Sequence, residues 1–314
     1  MQEGIVIKST GSWYSVRTKD GNIYNSRIIG KFRLEGKKVT NPVAVGDQVM
    51  ISIGNDDTAQ IKKILPRLNY VARQSPRKKH FLHIIASNID QAILFITIAQ
   101  PKLKQGFIDR FLLMMEPHNI PTTIVFNKAD VYDEEDMRIY EVMEYIYEAI
   151  GYQVLLTSAE NGKGMEDLKI LLKDKITLIS GQSGVGKSTA LNALQSTLDL
   201  KTADISDYSG KGQHTTTFAE MHPLDFGGYV IDTPGIKTLA FTNLEPMDVA
   251  HNFREFFEAS KDCKFHDCSH RNEPKCAVKD GIEGGTISEL RYLNYIQILE
   301  EIEDQNYWER HKDM

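Results

Sequence analysis

The sequence lacks the long apolar runs that a membrane-spanning protein needs. Its longest apolar stretch, Ala92–Ala99, is far shorter than the ~18 residues that cross a bilayer, and its composition predicts a buried strand. The N-terminus, Met1 to Gly4, has no basic region followed by an apolar core, so it shows no secretory signal. Only three cysteines occur among 314 residues, too few for a disulfide framework. We therefore expect a cytoplasmic chain with no membrane partner, and we expect it to be a monomer.

An overall excess of positive charge is also missing. The net charge of −6 by itself argues against a nucleic-acid partner. The average hides an asymmetry, because residues 1–79 carry a net charge of +9 and the remaining residues carry −15. A basic N-terminal module on an acidic body fits a polyanionic partner at one end. A solvated basic surface is an equally good interpretation of the charge alone.

The first 70 residues contain short segments rich in β-branched and aromatic residues, separated by turn signals. The predicted strands are Gly4–Lys8, Ser12–Thr18, Ile23–Ile28, Gln48–Ile53 and Gln60–Leu65. Five short strands in this length favour a small OB-type β-barrel. The pattern leaves an SH3-like barrel or a β-sandwich open. Residues 73–88, with six basic side chains around Pro76, predict a basic linker.

From residue 89 onward, apolar strands alternate with amphipathic helices. Predicted strands are Gln91–Ile98, Pro121–Phe126, Gln153–Thr157, Ile176–Ser180 and Tyr229–Asp232, and predicted helices are Gln105–Glu116, Glu134–Ile150, Gly164–Leu172 and Ser188–Leu194. This alternation predicts a mostly parallel sheet with helices on both faces. A third unit, residues 245–314, has a predicted apolar helix near Met247–Phe257 and a final helix from about Ser288.

One segment matches the phosphate-binding loop G-x-x-x-x-G-K-[ST] in full, between a predicted strand and a predicted helix. Its residues are Gly181, Gln182, Ser183, Gly184, Val185, Gly186, Lys187 and Ser188, followed by Thr189. Backbone N–H groups of such a loop surround phosphate oxygens, and the following helix N-terminus favours negative charge. We expect Lys187 to contact the β- and γ-phosphates and Ser188 to coordinate Mg²⁺.

A second segment, Asp232-Thr233-Pro234-Gly235, ends a predicted strand about 45 residues after this loop. D-x-x-G alone is usually just a turn. In this position Asp232 can hold Mg²⁺ through water, and the Gly235 N–H can contact the γ-phosphate.

A third segment predicts which base is bound. Asn127-Lys128-Ala129-Asp130 follows a predicted strand. A carboxylate at position 130 can accept hydrogen bonds from the ring N–H and the exocyclic amine of guanine, whereas adenine lacks that donor pair. Lys128 can cover the base plane and Asn127 can link neighbouring loops. Ser158-Ala159, after the next strand, matches the weak motif whose backbone contacts the guanine oxygen. Together these residues predict a GTP site.

The segment from Lys211 to Thr217 lies between the phosphate loop and Asp232, where a switch segment belongs. The residue after Gly235 is Ile236, which cannot orient water as a glutamine can. We expect slow intrinsic hydrolysis, with His214 as a candidate for positioning the water.

The three cysteines and one histidine form a compact set, C-x₄-C-x-H-x₅-C, made of Cys263, Cys268, His270 and Cys276. Thiolate and imidazole ligands in a four-member set fit tetrahedral Zn²⁺, and a complete set indicates a structural site. His266 lies nearby and is expected to be a bystander.

The base-reading segment precedes the phosphate loop, which reverses the order of a conventional small GTPase and predicts a circular permutation. With the cysteine–histidine spacing and Gly212-x-His214-Thr-Thr-Thr, this order resembles the ribosome small-subunit-dependent GTPase A family (RsgA, also called YjeQ or YloQ) over almost the whole chain. The resemblance implies a GTPase that binds the 30S subunit and its 16S rRNA late in maturation and is stimulated by it.

The predicted fold is α/β: an OB-type RNA-binding barrel (1–72), a basic linker (73–88), a circularly permuted P-loop GTPase domain (89–242) and a helical zinc-binding domain (243–314). Expected ligands are GTP or GDP, Mg²⁺ and one structural Zn²⁺. Two other functions stay open: an RNA-binding module whose nucleotide is not turned over under regulation, and a metal-dependent nucleic-acid enzyme. The complete zinc-ligand set argues against the latter.

Overall fold

The structure is a computed structural model that describes residues 1–28, 39, 41–54, 58–74, 82–104, 106–198, 200, 219–232 and 244–310. The predicted switch segment with His214, and Gly235, lie outside these ranges. Within these ranges, none of the helices combines the length and hydrophobicity that a membrane span requires.

Five strands near the N-terminus close into a barrel. They are β1 (Gln2–Ser9), β2 (Tyr14–Thr18), β3 (Ile23–Ile28), β4 (Gln48–Ile53) and β5 (Thr58–Ile64). They neighbour one another in the order β1-β2-β3-β5-β4, and β4 pairs again with β1. Only the pairing of β3 with β5 is parallel. Alternating side chains such as Val6, Val16 and Ile51 fill the interior, which confirms the predicted OB-type barrel.

The segment predicted as a basic linker is partly a strand. β6 (Tyr70–Gln74) pairs antiparallel with β7 (Leu82–Ser87) in a separate two-stranded sheet. The physical reason is burial, since Ile84 and Ala86 on β7 are inaccessible to solvent and so behave as core residues, not as a solvated connector. The basic stretch around Pro76, residues 75–81, lies outside the described residues.

Buried Asp47 ties the barrel to this two-stranded sheet. Its carboxylate accepts hydrogen bonds from both the Nε and an Nη of Arg67, each at 2.6 Å, and from Ser87 Oγ at 2.6 Å. The Asp47 side chain is fully buried and the Arg67 side chain is 16% exposed. A bidentate pair of this kind fixes orientation as well as distance, so the barrel has a defined attachment.

The central sheet has six strands. They are β8 (Gln91–Ile96), β9 (Thr122–Phe126), β10 (Gln153–Leu156), β11 (Ile176–Gly181), β12 (Glu220–Pro223) and β13 (Tyr229–Asp232). Their order is β10-β9-β8-β11-β13-β12, and all pairs are parallel except β12 with β13. The edge strand β12, which sequence patterns did not predict, also pairs with β1 of the barrel at Lys8 and Glu220. The predicted parallel α/β sheet is therefore present.

Helices cover both faces of this sheet. They are α1 (Phe107–Met115), α2 (Glu134–Ala149), α3 (Met165–Leu172) and α4 (Lys187–Leu194). Successive side chains of a strand point to opposite faces. Leu94 and Ile96 accordingly join the core beneath α1 and α2, while Ile93 and Phe95 join the core beneath α3 and α4.

The C-terminal unit contains α5 (Pro246–His251), α6 (Arg254–Ser260), α7 (Ala277–Glu283) and α8 (Glu289–Arg310). The single helix predicted over Met247–Phe257 is two helices, because Asn252 ends the first one and its side-chain amide donates to Asp248 O at 2.7 Å. On α8 the buried side chains follow the 3.6-residue period of a helix. Leu293 is 52% exposed, whereas the buried face consists of Arg291, Asn294, Tyr295, Ile298, Leu299 and Ile302.

A buried ionic cluster joins α8 to the central domain. The Arg291 guanidinium contacts both Asp109 on α1 and Glu255 on α6, and its side chain is 2% exposed. Asp109 also accepts hydrogen bonds from Tyr147 Oη and Asn294 Nδ2. Burial alone would lower the pKa of Arg291, but the two facing carboxylates outweigh it and raise that pKa. The C-terminal unit is therefore held against α1 by charges that have little access to water.

Candidate nucleotide site and metal centre

The phosphate loop runs from the end of β11 into the first turn of α4. Gly181 has φ +144°, and a Cβ there would lie 2.1 Å from Phe95 O. Gly186 has φ +86°, and a Cβ there would lie 2.6 Å from the side-chain amide nitrogen of Asn127. Side chains are excluded at both positions by backbone conformation and by space, so these glycines let the loop fold closely against β8 and against the base segment.

Lys187, the first residue of α4, folds its side chain back over this loop. Its Nζ donates to Gly181 O at 2.9 Å and to Gln182 O at 2.7 Å. Burial lowers the pKa of Lys187, and the negative charge of Asp232 opposes that effect. This partly desolvated ammonium group can exchange its backbone carbonyl acceptors for a phosphate oxygen.

The base segment follows β9. Lys128 adopts the left-handed conformation with φ +66°, and its Nζ donates to Gln100 O at 3.0 Å. Asp130 accepts a hydrogen bond from Ser158 Oγ, which couples the base segment to the loop after β10. The Ala129 N–H donates to Thr157 O at 3.0 Å, which holds the backbone at this corner.

Asn127 brings the two sequence-distant segments together. Its Nδ2 donates to Val185 O in the phosphate loop at 2.9 Å, and its Oδ1 accepts from Thr157 Oγ1 at 2.9 Å. The Asn127 side chain is buried, with 1% exposure. Because a buried amide needs both partners, this contact fixes the distance between the base segment and the phosphate loop.

The weak motif Ser158-Ala159 lies where it was expected, after β10. The Ser158 N–H donates to Lys163 O at 2.9 Å, so it is occupied. The Ala159 N–H, in contrast, has no acceptor among the residues that the structure describes. Of the two backbone donors, the one at Ala159 is the better placed to bind a ligand oxygen.

All these segments lie at one edge of the sheet. Parallel strands β8, β9 and β11 present their carboxyl ends there, and the strand order reverses between β8 and β11. Ligands of open α/β sheets bind at such a point. Asp232 ends β13 opposite Ile179 of β11 and interacts electrostatically with Lys187. At the start of α4, Ser188 is partly buried and Thr189 is exposed. In the loop before it, Gln182 is partly buried and Ser183 is exposed.

Sequence reasoning missed three residues that support this site. Gln100 accepts from Lys128, and Thr157 holds the Asn127 amide. Tyr132 Oη donates to Asn127 O at 2.9 Å and accepts from the Ile98 N–H at 3.0 Å. No motif marks Gln100 or Tyr132, whereas the position of Thr157 directly before Ser158 was a usable signal.

The four predicted metal ligands lie together in the C-terminal unit. One ligand atom from each of Cys263, Cys268, His270 and Cys276 can be chosen so that all lie within 4.8 Å of one another. His270 Nδ1 is 3.8 Å from Cys263 Sγ and 3.4 Å from Cys276 Sγ. Tetrahedral Zn²⁺ with ordinary bond lengths separates such ligands by about 3.5–3.8 Å. His266 is exposed and outside the set, as expected.

The chemistry of the donor set also fits zinc. Burial is the main reason that the pKa of Cys268 rises to about 12 when no cation is present, so a divalent ion is needed to hold these sulfurs as thiolates. Glu273 ties the neighbouring loop together through hydrogen bonds. Glu273 accepts from the Ser269 hydroxyl at 2.6 Å and from the Ser269 and Arg271 N–H groups. Burial raises the pKa of Glu273, but these bonds outweigh it and bring that pKa to about 2.

Comparison with known proteins gives the family. The family model "RsgA GTPase" matches residues 64–242, and the model "RsgA N-terminal domain" matches residues 3–61. The first match alone spans more than half of the chain. The chain belongs to the RsgA GTPase family.

Individual relatives agree with this assignment. The chain is 48% identical to "Small ribosomal subunit biogenesis GTPase RsgA" of Phocaeicola vulgatus, over 97% of this chain and 98% of the relative. It resembles the crystal structure of YjeQ from Thermotoga maritima with a TM-score of 0.79 and 36% identity, over 96% of this chain and 98% of that one. It resembles YloQ, described as a circularly permuted GTPase, with a TM-score of 0.74 and 31% identity, over 97% and 96% of the two chains. The predicted family and the predicted permutation are confirmed.

Proposed function

We propose that this protein hydrolyses GTP in the biogenesis of the small ribosomal subunit, with turnover stimulated by that subunit. The observation that carries the proposal is the hydrogen bond from Asn127 Nδ2 to Val185 O at 2.9 Å. This bond supports the proposal because it joins the segment that carries Asp130 to the phosphate loop, in a chain that belongs to a family of GTPases. The name of the relative from Phocaeicola vulgatus supports the assignment to small-subunit biogenesis.

Each residue of the site receives a role in this proposal. Asp130 pairs with the ring N–H and amine of guanine, Lys128 covers the base, and the Ala159 N–H binds the guanine oxygen. The backbone of residues 181–189 surrounds the phosphates while Lys187 neutralises the β- and γ-phosphate charge. Ser158 orients Asp130 through its hydroxyl. Specificity for guanine follows because adenine would leave the Asp130 carboxylate without its donors.

Mg²⁺ fits the acidic and hydroxyl groups that flank Lys187. Ser188 would bind the ion directly and Asp232 would bind it through water. When bound, the ion would neutralise phosphate charge. Gly235, as a γ-phosphate contact, and His214, as the group that positions the hydrolytic water, complete the proposed site and lie outside the described residues.

The metal centre has a structural role in this proposal. Cys263, Cys268, His270 and Cys276 would hold one Zn²⁺ with no open position for substrate. Tyr292 Oη donates to His270 O and Tyr295 Oη donates to Ser269 O, both at 2.8 Å. These two bonds link the ligand loop to α8, so the ion would stabilise the packing of the C-terminal unit.

The barrel is the proposed contact with 16S rRNA. The Arg27 guanidinium carbon lies 3.7 Å from the centroid of the Trp13 ring, and Trp13 is 37% exposed. A cation stacked on an exposed aromatic ring suits both the phosphate and the base of a single-stranded RNA. We propose that the protein acts as a monomer in the cytoplasm, where small subunits are assembled.

The proposed domains are a barrel over 1–72, a connecting segment over 73–88 that contributes strand β7, a permuted GTPase domain over 89–242 and a zinc-binding domain over 243–314. The buried pair of Asp109 and Arg291 supports treating the last two as a single body in solution.

A steady-state GTPase assay tests the proposed function. Turnover is measured with no ribosomal particle, with purified small subunits, with large subunits and with bulk RNA. Stimulation by small subunits alone, lost in Lys187→Ala, is expected. Equal turnover in all four samples would contradict the proposal and favour an RNA-binding module whose nucleotide is not turned over under regulation.

A further inference from the structure

A cavity of about 430 Å³ lies between the loop that follows β8, helix α2 and helix α8, and none of the residues that line it belongs to the phosphate loop. Its walls are mostly apolar and come from both the central domain and the C-terminal unit. The apolar side chains that line it belong to Ile98, Leu103, Ile108, Ile139, Met143, Leu290 and Leu293. Volume, apolar lining and position at a domain boundary are the usual features of a small-molecule site.

Two cations stand at the rim of the cavity, together with one exposed carboxylate, that of Glu289 at the start of α8. Lys102 and Lys104 line it from the loop after β8, and both are exposed. Neither forms an ion pair with a carboxylate in the part of the chain that the structure describes. Their charge is therefore available to an acidic group on a ligand whose apolar portion occupies the cavity.

A buried polar atom without a partner belongs to the same wall. Asn294 lines the cavity and is 1% exposed. Its Nδ2 donates to Asp109 Oδ2, which fixes the amide orientation, and its Oδ1 is buried with no hydrogen-bond donor. Gly106, another wall residue, lies beside this oxygen, because a Cβ built on Gly106 would be 3.5 Å from it. An unsatisfied buried carbonyl is uncommon in folded proteins. This oxygen is inaccessible to solvent, so a donor group on a ligand reaches it only when the wall residues move.

The cavity wall is bonded to the guanine-reading segment. Ile98, a wall residue, donates its backbone N–H to Tyr132 Oη at 3.0 Å, and Tyr132 Oη donates to Asn127 O at 2.9 Å. Gln100, in the same loop, accepts from Lys128 Nζ at 3.0 Å. A ligand that shifts or stiffens this loop therefore acts on Asn127 and Lys128 through single hydrogen bonds.

We propose that this cavity binds an amphiphilic organic anion, a small molecule with an apolar body and an acidic head held by Lys102 and Lys104, and that its occupancy changes the affinity for guanine nucleotide. The claim that the anion binds depends on the cavity alone. The claim that its binding changes nucleotide affinity rests on the GTP site proposed above, and the two claims are measured separately.

The probe is anilinonaphthalene sulfonate, and its uncharged counterpart is N-phenylnaphthylamine, which has the same apolar body without the acid. Calorimetric titration of the full chain is expected to show saturable binding of the sulfonate and binding of the amine weaker by about fivefold or more. The double variant Lys102→Ala/Lys104→Ala is expected to remove that preference. Lys62→Ala/Lys63→Ala, which removes two exposed lysines from the barrel, is the matched control and is expected to change nothing.

Occupation of the cavity itself is tested with Leu293→Trp, because Leu293 is 52% exposed and a larger side chain there fills space without disturbing the core. Both probes are expected to lose about tenfold or more in affinity. Leu68→Trp, at a position that is 92% exposed and outside the cavity, is the control. Equal affinity of the two probes for the natural chain, or binding unaffected by Leu293→Trp, would overturn the site.

The coupling is measured as the GDP affinity with and without saturating sulfonate. A change of about fivefold or more is expected, with the reciprocal change in sulfonate affinity when GDP is bound. Tyr132→Phe is expected to abolish the change while sulfonate still binds. An unchanged GDP affinity would overturn the coupling, whereas absence of GDP binding altogether would overturn the proposed GTP site and leave the cavity result standing.

Discussion

Asn127 Nδ2 donates a hydrogen bond to Val185 O at 2.9 Å, across 58 residues of sequence. The base segment and the phosphate loop are therefore in contact although the chain reaches them in the order opposite to that of a conventional small GTPase. A nucleotide site depends on where loops lie at the sheet edge, and circular permutation leaves that arrangement unchanged.

The first prediction concerns this contact. Asn127→Ala removes the donor to Val185 O and one of the two acceptors of Thr157 Oγ1, and it breaks the side-chain bond between the base segment and the phosphate loop. GDP affinity is expected to fall by about tenfold or more, equivalent to one lost buried hydrogen bond. Asn161→Ala is the control, because that exposed amide accepts only from the Lys163 N–H. Equal GDP affinities of the two variants, measured by calorimetry, would contradict the assigned role.

Lys187→Ala tests the phosphate end of the site. GTP turnover in the presence of small subunits is expected to fall by about 100-fold, because one preorganised charge that faces the phosphates is lost. Lys175→Ala serves as the comparison, since Lys175 Nζ bonds to Gln91 Oε1 at the opposite ends of the strands. If Lys187→Ala turns over GTP at a rate within a factor of a few of the natural chain, the role assigned to Lys187 is contradicted.

The buried cluster of α8 predicts a large effect on stability. Arg291→Met leaves the buried Asp109 and the partly buried Glu255 without their cation, so the free energy of unfolding is expected to fall by about 3–5 kcal/mol. Urea denaturation gives this value. Arg138→Ala, which breaks an exposed pair with Glu134, is expected to cost about 0–0.5 kcal/mol. A loss of less than about 1 kcal/mol for Arg291→Met would contradict the interpretation of this cluster as an interdomain attachment.

Zinc content gives a further prediction. The purified chain is expected to carry one Zn²⁺, measured by elemental analysis, and Cys276→Ser is expected to lose it together with the tertiary structure of the C-terminal unit. GDP binding is expected to persist, because the nucleotide site is built on the central sheet. His266→Ala is expected to retain the metal. A metal-free chain with an intact C-terminal unit would argue against a structural zinc site.

Sequence patterns predicted the strands, turns and helices that carry the candidate nucleotide site, because its motifs are local. The residues from Gly181 to Ser188 need one strand, one turn and one helix, and all three were visible in sequence. The same holds for Asn127 to Asp130 after β9. The strand bounds of the barrel were also predicted closely, since each strand alternates between buried and exposed residues and is followed by a turn signal.

Other features depend on tertiary contacts that no local pattern encodes. Asp109 and Arg291 are separated by 182 residues, and their pairing follows only from the packing of α1 against α8. The strand β12 has four residues and ends in Pro223, so it is too short to show a period. The helix predicted over Met247–Phe257 was wrong because Asn252 terminates α5 through its own side chain, and the apolar sequence on either side concealed the break.

The central claim is that Asp130 and Lys187 bind opposite ends of the same GTP. Asp130→Asn tests it most directly, because an asparagine amide donates to the C2 oxygen of xanthine and no longer accepts the amine of guanine. Hydrolysis of GTP and XTP is measured with small subunits for this variant and for Asp130→Asn/Lys187→Ala. The account predicts that the single variant loses GTP turnover by about 100-fold or more and gains XTP turnover, and that the double variant hydrolyses neither. Retained preference for GTP in the single variant, or XTP turnover that survives the loss of Lys187, would contradict it.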